Sequence, residues 1–402
     1  MKKKVLIVSH FMEIGGAERA LLGLLNGFDY QKYDVSLFLF RHEGGLMNLI
    51  PEEVNILPTI EEYTMLACPI ASVIKEHHFL IATSRVFGKC ASKVYNLIHR
   101  YGESSEVAIE YSHKFTKWCM PEIEPNKTFD LAISFLTPHY FVSEKVKAKK
   151  KIAWIHTDYS FVKINRKSEK KMWGVYDNII AISKACEESF IKCFPTLKDK
   201  IIYMENLLAV DFMRIESKKE IPENVMSEED CIKILSIGRF CKAKNFDNVP
   251  EICKRIIENG INVKWYIIGF GSDEELIRKQ IKLFRMEDRV ILLGKIENPY
   301  PYIKKCDIYV QPSRYEGKCV SVREAQTLNK PVIITNYETS GSQLEDGVDG
   351  IIVPIENKLC ADEITRILND KNLQNKLVSE CKKRDYSNRE EVKKIYSIID
   401  RT

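Results

Sequence analysis

Two stretches of the sequence set residues of unusual type at spacings that could do chemistry. The first is Gly238-Arg239-Phe240-Cys241-Lys242-Ala243-Lys244-Asn245. Arg239 and Lys244 occupy a turn between an apolar run and a helical pattern, with Asn245 as a plausible cap. Two cations above a helix N-terminus suit a diphosphate, although taken alone the turn is equally well an ordinary solvated basic loop. The second is Pro312-Ser313-Arg314-Tyr315-Glu316-Gly317-Lys318-Cys319-Val320, running on to Glu324. From Ser321 onward the pattern is helical, so Glu316 falls in the loop and Glu324 about one turn into the helix. One carboxylate can meet a sugar while the deeper one takes ribose hydroxyls, and Gly317 lets the Lys318, Cys319 and Val320 amides turn inward as donors. A solvated pair of glutamates is hard to reconcile with Glu324 lying among Val320, Val322, Ala325 and Leu328. A weaker signal is Gly15-Gly16-Ala17-Glu18-Arg19 after a first apolar run. Paired glycines let backbone approach a ligand at the positive helix end, or make only a tight turn.

The elements that must position these residues follow from short apolar runs alternating with helical spacing. Strands are expected at 4–9, 33–40, 131–134, 151–155 and 178–182, then at 232–237, 263–268, 290–293, 308–310, 332–335 and 350–353. Runs apolar throughout their length are strands buried on both faces, as in parallel sheets covered by helices. Two such blocks give an α/β chain of two Rossmann-like, doubly wound domains facing a central cleft. The expected boundaries are 1–208 for the first domain and 209–230 for a polar, Pro-containing linker. The second domain then runs 231–385, and a final helical segment spans 386–402. In open α/β sheets, ligands sit beyond the carboxyl ends of the strands, where the chemical stretches lie.

Composition narrows the classes further. The chain has 402 residues, 45% hydrophobic and 29% charged, which excludes global disorder. Its 61 Lys and Arg against 56 Asp and Glu leave a net charge of +5, too small and too dispersed for a dedicated nucleic-acid binder. The 12 cysteines show no C-x-x-C spacing, which argues against a zinc site or a secreted disulfide framework. No G-x-G-x-x-G or phosphate-loop motif occurs, so nicotinamide cofactors and nucleotide triphosphatase activity lose ground. No apolar stretch is long enough to span a membrane, and the apolar start lacks a cleavage site. A cytoplasmic protein is expected.

Glu316 and Glu324 in their Pro-Ser-x-Tyr-Glu-Gly setting, with Lys330-Pro331-Val332 and Glu345-Asp346-Gly347, resemble family 4 retaining glycosyltransferases of the GT-B fold. The resemblance extends to Gly15-Gly16-Ala17-Glu18-Arg19, to Gly238-Arg239 with Lys244-Asn245, and to Gly269-Phe270-Gly271. It covers nearly the whole chain and is strongest over residues 232–355. The resemblance implies a nucleotide-sugar donor, with UDP-sugars the commoner choice, and no further cofactor. It implies that Gly15 and Gly16 face the donor phosphates, that Arg239 and Lys244 neutralise the diphosphate, and that Glu316 contacts the sugar. The amides of Gly317, Lys318, Cys319 and Val320 would meet sugar hydroxyls, Glu324 would hold the ribose, and the Gly294 neighbourhood would receive the base. His156, in Trp154-Ile155-His156-Thr157-Asp158, looks like the family's active-site histidine, with a core histidine as the competing reading. Transfer with retention by front-face attack is what the resemblance implies for mechanism.

The sequence departs from the family at Lys318-Cys319, where an aromatic and a small residue are usual. It departs again after Thr335, where Asn336-Tyr337-Glu338-Thr339 replaces the usual Gly-Gly. Both lie near the sugar, so they bear on donor identity. With no D-x-D pair in the usual position, transfer independent of metal is expected. Acceptors in this architecture meet the first domain, where Lys75, Lys89, Lys93, Arg100 and Lys117 intermix with Phe79, Phe87, Leu97 and Trp118. A second basic run spans Lys145–Lys151. Such a surface suits the anionic inner face of the plasma membrane and a polyprenyl-diphosphate-linked or glycan acceptor, or is a solvated helix face. The competing functions are a GT-B-fold epimerase, a non-catalytic nucleotide-sugar-binding protein and an inactive transferase subunit.

Overall fold

The computed structural model describes residues 2–13, 15–101, 105–160, 162–228 and 230–400. The chain divides into two compact units, Met1–Leu207 with Arg389–Thr402, and Leu208–Asn388. In the first unit the strands are β1 (Lys3–Ser9), β2 (Tyr33–Leu39), β3 (Asn55–Ile56), β4 (Phe129–Ser134), β5 (Ala148–Ile155), β6 (Asn178–Ala181) and β7 (Ile201–Tyr203). They form one parallel sheet in the order β3-β2-β1-β4-β5-β6-β7. The second unit holds β8 (Ile232–Ile237), β9 (Val263–Ile268), β10 (Val290–Gly294), β11 (Ile308–Gln311), β12 (Val332–Thr335) and β13 (Ile351–Val353). Its parallel sheet is ordered β10-β9-β8-β11-β12-β13.

The apolar runs become strands because both faces of each sheet are covered. In β9, Val263, Trp265 and Ile267 pack into one core, while Tyr266 and Ile268 pack into the core on the opposite face. In β8, Ile234 joins the first and Leu235 and Ile237 the second. Period-two alternation is therefore present, but both phases are apolar. The short edge strands β3 and β7, two and three residues long, were not among the expected strands.

Two expectations change. The segment 209–230 is part of the second unit rather than a free linker. It forms the helix Val210–Glu216, and Val210, Met213 and Met226 are buried in that unit's core. Its polar stretch 216–224 had concealed those three anchors. The basic run Lys145–Lys151 lies largely along β5 and is internally paired, so it is not an open cationic patch. Lys147 meets Glu122 at 3.1 Å, Lys149 meets Asp130 at 2.7 Å, and Lys151 donates to the Ser143 carbonyl at 2.8 Å. The last helix, Val392–Asp400, packs in the first unit with Val392, Ile395, Ile398 and Ile399 buried. No described helix is long and apolar enough to cross a membrane.

Candidate functional site

In each sheet the strand order reverses at one point, between β1 and β4 in the first unit and between β8 and β11 in the second. Loops leaving neighbouring strands in opposite directions there open a crevice, the usual ligand position in doubly wound sheets. The chemical stretches leave from these strands.

In the second unit, β8 runs into Gly238-Arg239 and a short turn Lys242–Lys244, while β11 runs into the loop carrying Glu316. Lys244 lies along the backbone at Gly238, where an added Cβ would stand 2.9 Å from its Cε. Its ammonium reaches Glu316 Oε1 at 2.5 Å and Cys319 Sγ at 3.7 Å. Ser313 donates to the same Glu316 oxygen at 2.6 Å, and Thr339 Oγ1 donates to the Glu316 carbonyl at 2.7 Å. Burial works against the charge on Lys244, whose side chain is only 16% exposed, but the Cys319 sulfur and the Glu316 carboxylate outweigh it. The balance holds its pKa above the usual lysine value, so the ammonium stays charged through the physiological range. Arg239 is exposed and forms no ion pair among the described residues.

The structure thus joins Lys244, Glu316 and Cys319 in one cluster, with Gly317 and Lys318 in the same loop. Glu324 lies deeper, 1% exposed on the helix Val320–Thr327, where Tyr300 donates to it at 3.2 Å. Gly294 ends β10 at a φ of +72°, with open space where a side chain would stand, and its carbonyl accepts from the Gly269 amide at 2.9 Å.

Two expectations for this loop are corrected. The Cys319 amide does not turn toward a ligand: it donates to Gln343 Oε1 at 2.7 Å, and Gln343 Nε2 returns a bond to the Cys319 carbonyl at 3.2 Å. The helix Ser340–Gln343 buttresses the loop and takes up that donor. Asn245 caps no helix through its side chain. It stands at φ +61° between two short turns, and Asn248 rather than Asn245 precedes the helix Val249–Glu258.

Sequence reasoning gave no role to Ser313 or Gln343, and it marked Tyr337 and Thr339 only as a departure after the strand ending at Thr335. Tyr337 is 3% exposed, two residues beyond β12, and its Oη has no hydrogen-bond partner. Burial raises its pKa, and the nearby Cys319 and Glu316 raise it further. Its position just past a strand end was the available signal.

In the first unit, Gly15 precedes the helix Gly16–Gly27, and a Cβ on Gly15 would stand 2.1 Å from Glu18 Oε2. The carboxylate of the chain's own Glu18 therefore covers the helix start, the favourable place for a negative charge. His156 follows β5 and His10 follows β1, on either side of β4. Burial pushes both imidazoles down to about 4, and their Nε2 atoms have no hydrogen-bond partner. At neutral pH these are uncharged rings able to bond hydroxyls. His113 lies 5.6 Å from His10, and burial with the His10 charge pushes its pKa down to about 3. Among the described residues, no group of three or more His, Cys, Asp or Glu could hold a metal ion.

Two parallel, doubly wound units with these switch-point loops define the GT-B fold. Structures of that architecture superpose on the whole chain. HepE of Anabaena, solved with UDP and glucose, gives a TM-score of 0.67 at 15% identity, covering 100% of each chain. TarM of Staphylococcus aureus, solved with fondaparinux, alpha-GlcNAc-glycerol and UDP, gives 0.67 at 14% identity over 99% of this chain and 100% of the other. Residues 217–384, within the second unit, match the family Glycosyl transferases group 1. The capsular polysaccharide biosynthesis glycosyltransferase CapM of Staphylococcus aureus is 28% identical over 50% of this chain and 58% of its own length. The chain spans about half the length of the curated relatives it matches.

Proposed function

We propose that this protein is a retaining glycosyltransferase that moves a sugar from a nucleotide-diphosphate donor, with UDP-sugar favoured, to a glycan or lipid-linked acceptor in bacterial polysaccharide synthesis. The observation that carries the reading is the Lys244–Glu316–Cys319 cluster at the second sheet's switch point, inside the segment that matches group 1 glycosyltransferases. UDP in the HepE and TarM structures supports the donor class, and CapM supports the polysaccharide context.

In this reading Lys244 and Arg239 hold the diphosphate. The bond between the anomeric carbon and the phosphate oxygen breaks, and the nucleoside diphosphate leaves with the electron pair. The two cations stabilise that charge where it develops. The acceptor hydroxyl oxygen bonds to the anomeric carbon on the same face, and its proton passes to the departing phosphate. Glu316 orients the donor sugar, with amides of Gly317, Lys318 and Val320 on its hydroxyls. Glu324 takes the ribose, and the Gly294 neighbourhood takes the base. To the first unit we assign His156, a neutral imidazole for a substrate hydroxyl, and the Gly15-Gly16 turn for the donor. Two fixed cations supply the charge a metal would otherwise bring, so transfer should proceed in EDTA.

The Lys244–Glu316 pair makes the test specific, because in the free protein the carboxylate competes for the ammonium that the diphosphate needs. Glu316→Gln should abolish transfer from UDP-sugars while leaving the UDP-dependent rise in melting temperature intact or larger. Lys244→Ala should weaken UDP binding about tenfold or more, the worth of a charge-assisted hydrogen bond. Turnover that survives Glu316→Gln would overturn the assignment. UDP binding without turnover in the native chain, across a panel of sugars and acceptors, would instead favour a nucleotide-sugar-binding protein.

A further inference from the structure

The helix Phe79–His99 is apolar on two opposite sides. One side, through Ile81, Ala82, Ser84, Gly88 and Ser92, is buried in the first unit. A Cβ on Gly88 would stand 2.9 Å from the Tyr111 carbonyl, so the neighbouring helix Val107–Thr116 crosses in close contact there. The other side faces solvent. Phe87 is 71% exposed, Leu97 80% and Ile98 70%, and Phe79, Leu80 and Val94 are all more than half exposed. On a helix of 3.6 residues per turn these positions fall on one face about 100° wide. At 1.5 Å per residue, the 21 residues make a ridge about 31 Å long. Scattered exposed apolar residues are ordinary on a protein surface, but a continuous ridge of large ones is not.

The charge on this element is one-sided. The helix contains Arg85, Lys89 and Lys93 and no Asp or Glu. Lys89 and Lys93 border the apolar face, are exposed, and form no ion pair among the described residues. Lys75 before the helix and Arg100 at its end are likewise exposed and unpaired among the described residues. Lysines beside an apolar ridge can lay their stems on it while their ammonium groups reach phosphate at a lipid surface. A second copy of this helix would instead bring cations against cations, with no carboxylate on the element to offset them. The helix does not qualify as a membrane span, so its geometry suits lying in the interface plane.

We propose that the helix Phe79–His99 is a membrane-docking element that seats its Phe87–Leu97 ridge among the acyl chains of an anionic bilayer, with Lys89 and Lys93 at the headgroups. This inference stands on the first unit alone and does not depend on the glycosyltransferase reading. Of the two basic stretches expected to meet a lipid surface, it selects the one whose exposed lysines border an apolar ridge over the internally paired Lys145–Lys151 run.

The test is flotation of the full chain with vesicles of phosphatidylcholine alone and of equal parts phosphatidylcholine and phosphatidylglycerol. The native chain should float with the mixed vesicles, less with phosphatidylcholine, and keep part of its binding at high salt, because salt screens only the lysines. Phe87→Glu with Leu97→Glu should lower binding to both vesicles by about tenfold or more per substitution, from the loss of buried apolar area. Lys89→Glu with Lys93→Glu should remove the preference for the anionic vesicles. Both pairs lie on exposed positions, and an unchanged melting temperature would show that they fold. Failure of the native chain to float, or equal flotation of the Phe87→Glu, Leu97→Glu chain, overturns the proposal. So would a concentration-dependent dimer that the same substitutions dissolve, since the ridge would then be an interface between copies. Each outcome is read by flotation and light scattering, and none bears on turnover.

Discussion

Tyr337 holds a phenol in a place where nothing in the folded chain uses it. A buried hydroxyl without a partner costs about 1–3 kcal/mol in desolvation, and this one lies near Cys319 and Glu316, in the loop that the proposed function turns toward the donor sugar. Its ring fills volume that glycine would leave open, which narrows the room for a donor sugar. In the proposed reading its Oη, which has no partner in the fold, is available to bond that sugar. Tyr337→Phe should therefore leave the melting temperature unchanged or raise it, while raising the donor KM about tenfold, as loss of one hydrogen bond to a substrate hydroxyl does. A lower melting temperature with an unchanged KM would mean that the hydroxyl serves the fold. The residue also shows where sequence reading stopped. Glu316, Lys244 and Glu324 stood out by type against their apolar or turn surroundings. Tyr337 and Thr339 stood out only as a departure from the family's glycines, and their contacts with the Glu316 loop, like those of Ser313 and Gln343, depend on β11 and β12 being neighbours in the sheet, which no local pattern reveals.

At the scale of elements, the helix Arg166–Gly174 is pinned by a carboxyl with no cation beside it. Glu169 Oε2 accepts from Tyr159 Oη at 2.9 Å and from Trp173 Nε1 at 3.4 Å. Burial pushes its pKa up to about 7, against those two bonds, with Glu110 and Glu106 adding to the rise. Unfolded, the group loses its proton near 4.5; folded, it keeps the proton to about 7. Between those values the folded state binds more protons, so stability falls as pH rises through the window. Glu169→Gln keeps a carbonyl to accept both bonds and removes the titration. It should leave stability near pH 5 unchanged and raise it at pH 8 by on the order of 2–3 kcal/mol, since each tenfold change in proton affinity is worth about 1.4 kcal/mol. Urea titrations at the two pH values measure this, and equal effects at both would refute it. The neutral His10, His113 and His156 act in the opposite sense. Their unfolded forms take up protons below about 6.5, so they withdraw stability as pH falls toward 4. The strands β1, β2 and β8–β12 were legible because each is a run apolar on both faces. The helix Val210–Glu216 was not, since seven residues with only two apolar buried positions, Val210 and Met213, are too few to mark a helix by period.

On the scale of the whole molecule, the chain leaves the first unit at Leu207 and returns to it at Arg389, so the second unit is an insertion in the first. The returning helix is structural there. Ile395 and Ile399 are fully buried, and Tyr396 stacks on Tyr33 with ring centroids 4.3 Å apart. The Asp29 amide donates to Tyr396 Oη at 2.8 Å, and that hydroxyl donates to the Gly27 carbonyl at 3.2 Å. The first unit therefore cannot complete its core until the helix Val392–Asp400 is made, whereas the second has all its strands by Val353. Each unit has its own hydrophobic core, and the groups proposed to bind the diphosphate lie in the second. Ile395→Ala opens a cavity in the first core alone and should destabilise that unit by about 2–5 kcal/mol. Thermal unfolding should then show an earlier transition that UDP does not move, followed by one that UDP still raises. Were both transitions to fall together, the two units would unfold as one cooperative body, and the insertion would be a matter of connectivity without independent stability.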